Sequence, residues 1–386
     1  MSKQNFFEKY KMFIIGIAGL TIILIANLIF LGKNTATKIA FYQIPENTQK
    51  HIEAELLSIT EGKVKFHTLN SSKPLSEKEA HKYHMIITYN SRTAINIGPE
   101  PVPDNAIKYL PTKIQLSTYQ DGKNYALPFL LDHYELALYT TYKNQLGLSD
   151  ISDFESFKDY LEKIKEAADF PLIAIGSDDN ELIGFVSAMA QSIYGVNEYF
   201  DICQEFNKAQ ARGDEIPYRI RVVLDEIKEL ENLGLLHKNW LNANIKDVIF
   251  LMEQHQLGAF VTYLSTQRQI PYVLIKYYNS YLFPQHNSTA FGVIAPEIVA
   301  LKMESDKNVD LIFEKLISNQ VQTNLSKKTM LAPTAAIAES SDIQSDNVRY
   351  WCAAANGGPV PDFQKASFIG PDRLHEYADK IREYLK

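Results

Sequence analysis

Apolar and polar residues divide the chain into one long uncharged run followed by many short apolar segments. Residues 12–32 carry no charged side chain and are mostly Ile, Leu, Ala, Gly and Phe. The run reaches the roughly 20 residues that a helix needs to cross the hydrocarbon core of a membrane. Lys3, Lys9 and Lys11 precede it, which favours a cytoplasmic N-terminus. We therefore predict a membrane-spanning helix with the remaining chain on the extracytoplasmic side.

This uncharged run has two interpretations, a retained anchor or a cleaved signal peptide. The apolar region of a signal peptide is typically about 7 to 15 residues long and ends at a small-x-small site. Here the run is longer and ends in Leu28, Ile29, Phe30 and Leu31, and no Cys follows that would carry a lipid. These features favour a retained single-pass anchor in the cell membrane, with the remaining chain on the periplasmic side.

The first segments after the anchor have the pattern of a strand-helix-strand unit. Residues 38–42, 64–66 and 82–89 are predicted strands, and residues 48–60 have apolar positions at helical spacing. This order at this spacing indicates a βαβ unit and a parallel sheet. Because the crossover is right-handed, the carboxyl ends of such strands meet at one edge, where open α/β sheets bind ligands.

Predicted strands and helices continue to alternate along the rest of the chain. A chain of 386 residues exceeds the roughly 250 to 300 residues at which single cores usually divide, so two domains are expected. Asp153 is the predicted N-cap of an amphipathic helix. The later predicted strands are 125–129, 136–139, 259–263 and 290–294, and the later predicted helices are 153–168, 183–194, 219–233, 309–319 and 372–385.

Charge and cysteine content narrow the function classes. The net charge is −7 and the basic residues are scattered. Nucleic-acid binding needs a basic surface, so a nucleic-acid partner is not expected. Cys203 and Cys352 are the two cysteines of the chain. In an exported protein they form a disulfide or remain two separate buried thiols, and the sequence leaves both open.

Motifs of catalysis and metal binding are missing from the sequence. There is no Gly-x-Ser-x-Gly, no His-Glu-x-x-His and no phosphate-binding Gly-x-x-x-x-Gly-Lys. His81 and His84 are three residues apart, but no carboxylate is in obvious reach as a third ligand. We therefore predict a protein that is not an enzyme, with no catalytic residues, no metal site and no cofactor.

Four stretches in a fixed order carry a resemblance to a known family. They are residues 121–129, which read DGKNYALPF, then 150–161, 256–260, and 291–294 followed by a helix over 308–325 and by Ala332-Pro333. Together they resemble the extracellular solute-binding proteins of ABC importers, the group that includes maltose-binding protein. The resemblance covers residues 37–386.

The resemblance implies an α/β fold of two lobes, the type II periplasmic-binding-protein-like fold, in which each lobe is a mostly parallel sheet flanked by helices. Three crossings are expected near residues 128–132, 283–286 and 329–333. Residues 1–36 then form the cytoplasmic stub, transmembrane anchor and linker. Lobe one is predicted as 37–128 plus 287–328, and lobe two as 133–282 plus 334–386.

The resemblance also implies a function. We expect the protein to capture a small solute between its lobes and to deliver it to the permease subunits of an ABC importer. The expected class of solute is a carbohydrate. Two alternatives remain open. One is a membrane-anchored ligand sensor or scaffold with the same fold, and the other is an extracytoplasmic enzyme.

Candidate binding residues follow from the chemistry of sugars, whose apolar ring faces and hydroxyl rims require aromatic side chains beside polar ones. Tyr and amide pairs end the first and third strands, and Asp132 follows the strand at the first expected crossing. Packing of the aromatic rings and capping of turns are the alternatives for these residues. The family likeness adds the region before the last helix. The predicted ligand-binding residues are Tyr42, Gln43, Tyr89, Asn90, Asp132, Tyr134, Tyr263, Trp351 and Phe368.

Overall fold

The structure is a computed structural model that describes residues 36–69, 75–148, 151–213, 215–286, 292–368 and 371–386. The predicted membrane helix over residues 12–32 lies outside these ranges. Within them, no helix combines the length and the apolar character needed to cross a bilayer.

The strands are short, and half of them are buried along their whole length. They are β1 Thr37–Phe41, β2 Val64–Thr68, β3 Met85–Tyr89, β4 Tyr119–Gln120, β5 Lys123–Asn124, β6 Leu127–Leu131, β7 Tyr134–Tyr139, β8 Phe170–Ala174, β9 Leu257–Tyr263, β10 Tyr278–Tyr281, β11 Val293–Ile294, β12 Glu297–Lys302, β13 Ala332–Pro333 and β14 Pro359–Val360.

The helices range from single turns to a long, bent helix. They are α1 Glu46–Ile59, α2 Glu77–Ala80, α3 Asp104–Ile107, α4 Thr112–Ser117, α5 Thr140–Gln145, α6 Phe154–Lys165, α7 Asp179–Arg212, α8 Tyr218–Asn232, α9 Ile245–Glu253, α10 Leu264–Gln267, α11 Tyr272–Ile275, α12 Lys307–Leu316, α13 Asn319–Thr329, α14 Ile343–Ala354, α15 Phe363–Ser367 and α16 Pro371–Leu385, with 3₁₀ turns at Arg92–Ile97 and Trp240–Asn242.

The first sheet has the strand order β13-β6-β12-β3-β1-β2. Strand β1 pairs in parallel with β2 and β3, and α1 connects β1 to β2, so the predicted βαβ unit is confirmed. Strand β12 is antiparallel to both β3 and β6, and β13 is antiparallel to β6. Strands β12 and β13 therefore run in the opposite direction to the neighbours with which they pair.

The second sheet has the order β10-β7-β9-β8. Only its β8–β9 pair is parallel, whereas β7 is antiparallel to both β9 and β10. The expectation of mostly parallel sheets is therefore wrong for both lobes, and the sheets are mixed. Periodicity within a strand shows which residues are buried, but it does not record the direction of the neighbouring strand.

Each sheet lies in its own hydrophobic core. One cluster surrounds the first sheet with α1, α12 and α13, and a second surrounds the second sheet with α6 to α9. Helix α6 begins as predicted, because the Asp153 side chain accepts a hydrogen bond from the Ser156 amide at 2.8 Å. Helix α7 bends at Gly195, whose φ of 79° lies in the left-handed region.

Helix α14 packs on the first sheet. Its buried residues Val348 and Cys352 belong to the first cluster, and the helix contacts β13 and α4. The predicted boundaries gave residues 334–386 to lobe two, so the structure differs here: the chain returns to the second core only after Ala355. An amphipathic pattern identifies a buried helix face without saying which sheet it covers. We call residues 36–131 and 292–355 lobe one, and 134–286 and 361–386 lobe two.

The two cysteines lie in different lobes. Cys203 is buried in the second cluster and Cys352 in the first, and no disulfide joins them. Of the two alternatives that the sequence left open, separate buried thiols is the one observed.

Candidate ligand-binding cleft

A cavity of about 390 Å³ lies where the two lobes meet. This volume falls in the range of roughly 300 to 1,000 Å³ that is common for small-molecule sites. Asp132, at the first crossing, forms part of the wall. Lobe one contributes Phe41, Gln43, Ile44, Pro45, Thr68, Leu69 and Tyr89, and lobe two contributes Asp178, Asn180, Glu181, Tyr263, Ser265, Thr266, Gln364, Lys365 and Leu374.

The lobe-one wall is the carboxyl edge of the parallel strands β1 to β3. Strand β1 ends at Phe41 and β3 ends at Tyr89, and these strands are direct neighbours. Gln43 has a φ of 63°, in the left-handed region, where the chain turns away from the sheet. Because neighbouring parallel strands end at the same edge, Gln43 and Tyr89 reach one cavity although they are distant in the sequence.

Asp132 lies between β6 and β7 and joins the cleft to lobe two. Its Oδ1 accepts hydrogen bonds from the His133 amide at 2.9 Å and the Ser265 amide at 3.1 Å, and its Oδ2 accepts one from Ser265 Oγ at 2.6 Å. Burial raises the pKa of Asp132, and the hydrogen bonds from Ser265 and His133 oppose that rise. Asp132 is therefore a wall of the cavity and a structural cap at the same time.

Helix α15 extends lobe two into the cleft. The Phe363 ring stacks between Tyr199 and Phe206, with ring centroids 5.3 and 5.2 Å away. Its amide donates to Ser187 Oγ at 3.0 Å, and Asp362 caps the helix by accepting from the Lys365 amide at 2.9 Å. These contacts fix the short helix on lobe two, since a helix of this length has little stability of its own.

A buried ion pair on α15 stands between the lobes. The Lys365 ammonium lies 2.7 Å from Asp362 Oδ2. It also lies 5.2 Å from the ring centroid of Tyr89 in lobe one and 4.8 Å from that of Tyr263 in lobe two. The Tyr263 hydroxyl donates to the same Asp362 carboxylate. A buried charge is tolerated only with such partners, and both aromatic faces add cation–π attraction.

Two further side chains give the cavity its polar character. Glu181, in the first turn of α7, accepts hydrogen bonds from Thr262 Oγ1 at 2.9 Å and from the Tyr263 amide at 3.2 Å. Burial raises its pKa to about 8, which favours the neutral acid at pH 7. Gln364 is buried, and among the described residues no donor reaches its Oε1 within hydrogen-bond distance. A ligand hydroxyl would satisfy that oxygen.

Four of the predicted binding residues lie around this cavity, namely Gln43, Tyr89, Asp132 and Tyr263. Tyr42 and Phe368 pack against each other in a tilted arrangement, with ring centroids 4.8 Å apart, and join lobe one to the end of α15. Their role in ligand binding stays a prediction.

The other three predicted residues lie elsewhere. Asn90 donates to the Glu297 carboxylate and borders a separate cavity of about 200 Å³ next to Ala366. The Tyr134 ring is buried beneath Tyr263, at 4.9 Å in an edge-to-face arrangement. Trp351 packs against His133 at 5.3 Å, because α14 carries it on lobe one.

Sequence reasoning missed Glu181, Gln364 and Lys365. Asp362 three residues before Lys365 has the spacing of an N-cap, and this signal would have predicted a short helix after residue 361. Nothing in the local sequence indicates that this helix enters the cleft. Within the described ranges, no group of three or more His, Cys, Asp or Glu side chains is arranged to hold a metal ion.

Comparison with family models and with curated proteins finds no match for this chain. Solved structures do match it. The bacterial solute receptor AcbH has a TM-score of 0.72 at 11% identity, covering 91% of this chain and 93% of AcbH. The binding protein MsmE from Bacillus subtilis gives 0.69 at 13%, covering 91% and 94%. RafE from Streptococcus pneumoniae gives 0.63 at 13%, covering 91% and 97%.

The chain has the two-lobed solute-receptor fold. At identities of 11 to 13%, this likeness concerns the backbone, and function has to be argued from the site. The cavity of about 390 Å³ is the candidate site, because it has walls from both lobes and contains Asp132, Glu181 and Lys365.

Proposed function

We propose that this protein is an extracytoplasmic receptor that captures a small carbohydrate between its lobes and presents it to the permease subunits of an ABC importer. The observation that carries the proposal is a cavity of about 390 Å³ with walls from both lobes. A ligand in such a cavity touches both lobes only when they are closed. It therefore shifts the open-closed equilibrium by its difference in affinity for the two states.

The chemistry of the cavity supports a polyhydroxylated ligand. Amide and hydroxyl side chains line both walls, among them Gln43, Asn180, Ser265, Thr266 and Gln364. Hydroxyl groups of a sugar both donate and accept, so they match such a mixed set of donors and acceptors. The structural neighbours agree with this class: AcbH has an exclusive preference for β-D-galactopyranose, and RafE is known in complex with raffinose.

Binding without catalysis is part of the proposal. Among the matched structures are the solute receptor AcbH and a chitin oligosaccharide binding protein. The buried carboxyls near the cavity are occupied by hydrogen bonds within the protein, as Asp132 is by Ser265 and Glu181 is by Thr262. Catalytic acids and bases need access to the substrate proton, and these two groups serve as wall and cap.

Membrane attachment through residues 12–32 completes the proposal, because a tethered receptor stays close to its permease. N-terminal sequencing of the protein from washed membranes tests it. We expect the intact N-terminus in the membrane fraction. A mature chain that starts near Thr35 and is released by buffer would contradict the anchor and leave the binding function standing.

Binding and closure are tested together on the full chain in detergent. Isothermal titration with a panel of mono- and oligosaccharides is expected to identify at least one ligand. Small-angle scattering with contrast-matched detergent is expected to show a smaller radius of gyration at saturation. A ligand that binds without changing the radius would argue against closure as the mechanism.

A further inference from the structure

We infer that Lys365 determines the specificity of the cleft, donating hydrogen bonds to the hydroxyls of a compact neutral monosaccharide. The inference rests on the proposed carbohydrate-binding function and names the ligand class within it. Three observations support it: the contacts that the Lys365 ammonium makes within the protein, its position over the Tyr89 and Tyr263 rings, and the charged groups that line the cavity.

The ammonium has donors that the protein does not use. A lysine ammonium carries three N–H groups. Among the described residues, its hydrogen-bonding partner is Asp362, at 2.7 Å. The other close neighbours are the ring faces of Tyr89 and Tyr263, which attract the charge but are weak acceptors. Lys365 is 5% exposed and lines the cavity, so oxygen atoms of a ligand can accept the remaining hydrogen bonds.

The same position removes the aromatic faces as sugar platforms. The ammonium lies within the roughly 6 Å of both ring centroids that defines a cation–π contact. A sugar ring cannot stack on a face that the ammonium covers. Oligosaccharides present extended apolar faces that favour open aromatic surfaces. Recognition here therefore proceeds through the polar edge of one ring.

Neighbouring residues on α15 supply both halves of a hydroxyl-binding pair. Lys365 donates, and the adjacent Gln364 offers a buried Oε1 that no described donor satisfies. A hydroxyl both accepts and donates, so adjacent hydroxyls on one sugar ring match this pair. The cavity of about 390 Å³ is also near the lower end of the range for ligand sites, roughly 300 to 1,000 Å³.

The charge of the cleft favours a neutral sugar over an acidic one. Asp362 already compensates Lys365, and the buried Asp132 adds a further carboxyl at the cavity wall. A ligand carboxylate would therefore lie beside a lysine whose charge Asp362 already neutralises, and close to the carboxyl group of Asp132, so its binding would be disfavoured.

Titration of the full chain in detergent with galactose, glucose, xylose and the trisaccharide raffinose tests the ligand class. At least one monosaccharide is expected to bind more tightly than raffinose. Lys365→Met should weaken that monosaccharide by about 10- to 100-fold, the usual size of a charge-assisted hydrogen bond. Lys365→Arg should restore part of the loss. Lys113→Met is the control, because the Lys113 ammonium donates to the Asn356 carbonyl at 3.0 Å, outside this cavity.

Monodeoxy analogues of the bound sugar separate direct contact from a structural role. If Lys365 donates to one hydroxyl, removing that hydroxyl should weaken wild-type binding and have little effect on Lys365→Met. A purely structural lysine would give the same fold-loss for every analogue, which would overturn the inference. Lys365→Met leaves Asp362 buried without its cation, so the double variant Lys365→Met/Asp362→Asn serves if the single one fails to fold.

The outcomes also separate this inference from the proposed function. If raffinose binds more tightly than every monosaccharide, Lys365 does not select a single ring, while the carbohydrate receptor stands. If no carbohydrate binds the wild-type chain, the proposed function and this inference both fall.

Discussion

The two lobes contribute different chemistry to the same cavity. Among its described residues, the lobe-one wall, from Phe41 to Tyr89, contains aliphatic, aromatic, hydroxyl and amide side chains and no carboxylate or ammonium. Lobe two and the crossing contribute Asp132, Asp178, Glu181 and Lys365. Each of these charged or acidic groups has a partner on lobe two, such as Ser265 for Asp132.

The physical reason for this difference is desolvation. A charge can be removed from water only when hydrogen-bond and ion-pair partners are already in position. Lobe two provides them where α7, α10 and α15 converge on the cleft, whereas the lobe-one wall is a strand edge followed by a turn. We therefore expect lobe two to hold the binding determinants and the pH sensitivity of ligand binding, and lobe one to contribute mainly the shape of the cavity.

The largest expected effect compares the buried carboxyl of each lobe. Burial raises the pKa of Glu181 in lobe two and of Glu297 in lobe one from 4.5 to about 8. The folded protein then keeps protons that the unfolded chain releases near pH 4.5. The free energy of unfolding should fall as the pH rises from about 4.5 to about 8, by on the order of 5 kcal/mol per group, and level off above. Denaturant titrations from pH 4 to 9 measure it, and each Glu→Gln variant should remove its own share.

The pH dependence of ligand binding should distinguish the two carboxyls. Glu181 lines the cavity, whereas Glu297 is hydrogen-bonded to Asn90 and Ser117. The dissociation constant should lose most of its pH dependence in Glu181→Gln and keep it in Glu297→Gln. The reverse result would show that lobe one carries the pH-sensitive determinant.

The second prediction concerns the attachment of α15. Phe363→Ala removes a ring that is fully buried between Tyr199 and Phe206. We expect a loss of about 3–5 kcal/mol in the free energy of unfolding, measured by chemical denaturation. Tyr350→Ala on α14 of lobe one is the control, since Tyr350 is 70% exposed, and it should change stability by no more than about 0.5 kcal/mol. Equal effects would mean that α15 is not part of the lobe-two core.

The third prediction addresses the double role of Asp132. Asp132→Ala leaves the buried amides of His133 and Ser265 without their acceptor, and we expect a loss of about 1–3 kcal/mol in stability. Ligand affinity should fall as well, by roughly tenfold. Asp132→Asn retains an acceptor oxygen and should recover most of the stability. An unchanged melting temperature of Asp132→Ala would contradict the structural role of Asp132. An unchanged ligand affinity would contradict its role in ligand binding.

The smallest expected effect compares one amide from each lobe. Gln364→Ala in lobe two should weaken ligand binding by about 3- to 10-fold, as expected for a neutral hydrogen bond. Gln43→Ala in lobe one should have a smaller effect, and neither should change the melting temperature appreciably. Titration calorimetry with the same sugar measures both. A larger loss of affinity for Gln43→Ala than for Gln364→Ala would contradict the expectation that lobe two holds the main binding determinants.

Local sequence pattern predicted much of the secondary structure. The first strand-helix-strand unit and helix α6 with its Asp153 cap are present as predicted, because burial periodicity and capping act within a few residues. Strand β12 was not predicted, although all six of its residues are buried. A short segment that is buried on both faces lacks the alternation that identifies a strand.

The candidate site was predicted in part. Gln43 and Tyr89 were accessible to sequence reasoning, because the ends of neighbouring parallel strands share an edge. Trp351 was expected in the cleft but lies against His133, because the lobe that receives α14 depends on its packing against the folded lobe one, including α4, which is far away in the sequence.

The sequence by itself determined where many of the strands and helices form, that the chain is long enough for two cores, and which polar residues end the first and third strands. Only the tertiary structure decided the direction of the returning strands, the separation of Cys203 from Cys352, and the position of Lys365 between Tyr89 and Tyr263. The reason is physical. Hydrophobic periodicity and capping encode which face of an element is buried, whereas the partner of that face is chosen by the packing of segments that meet only in the folded chain.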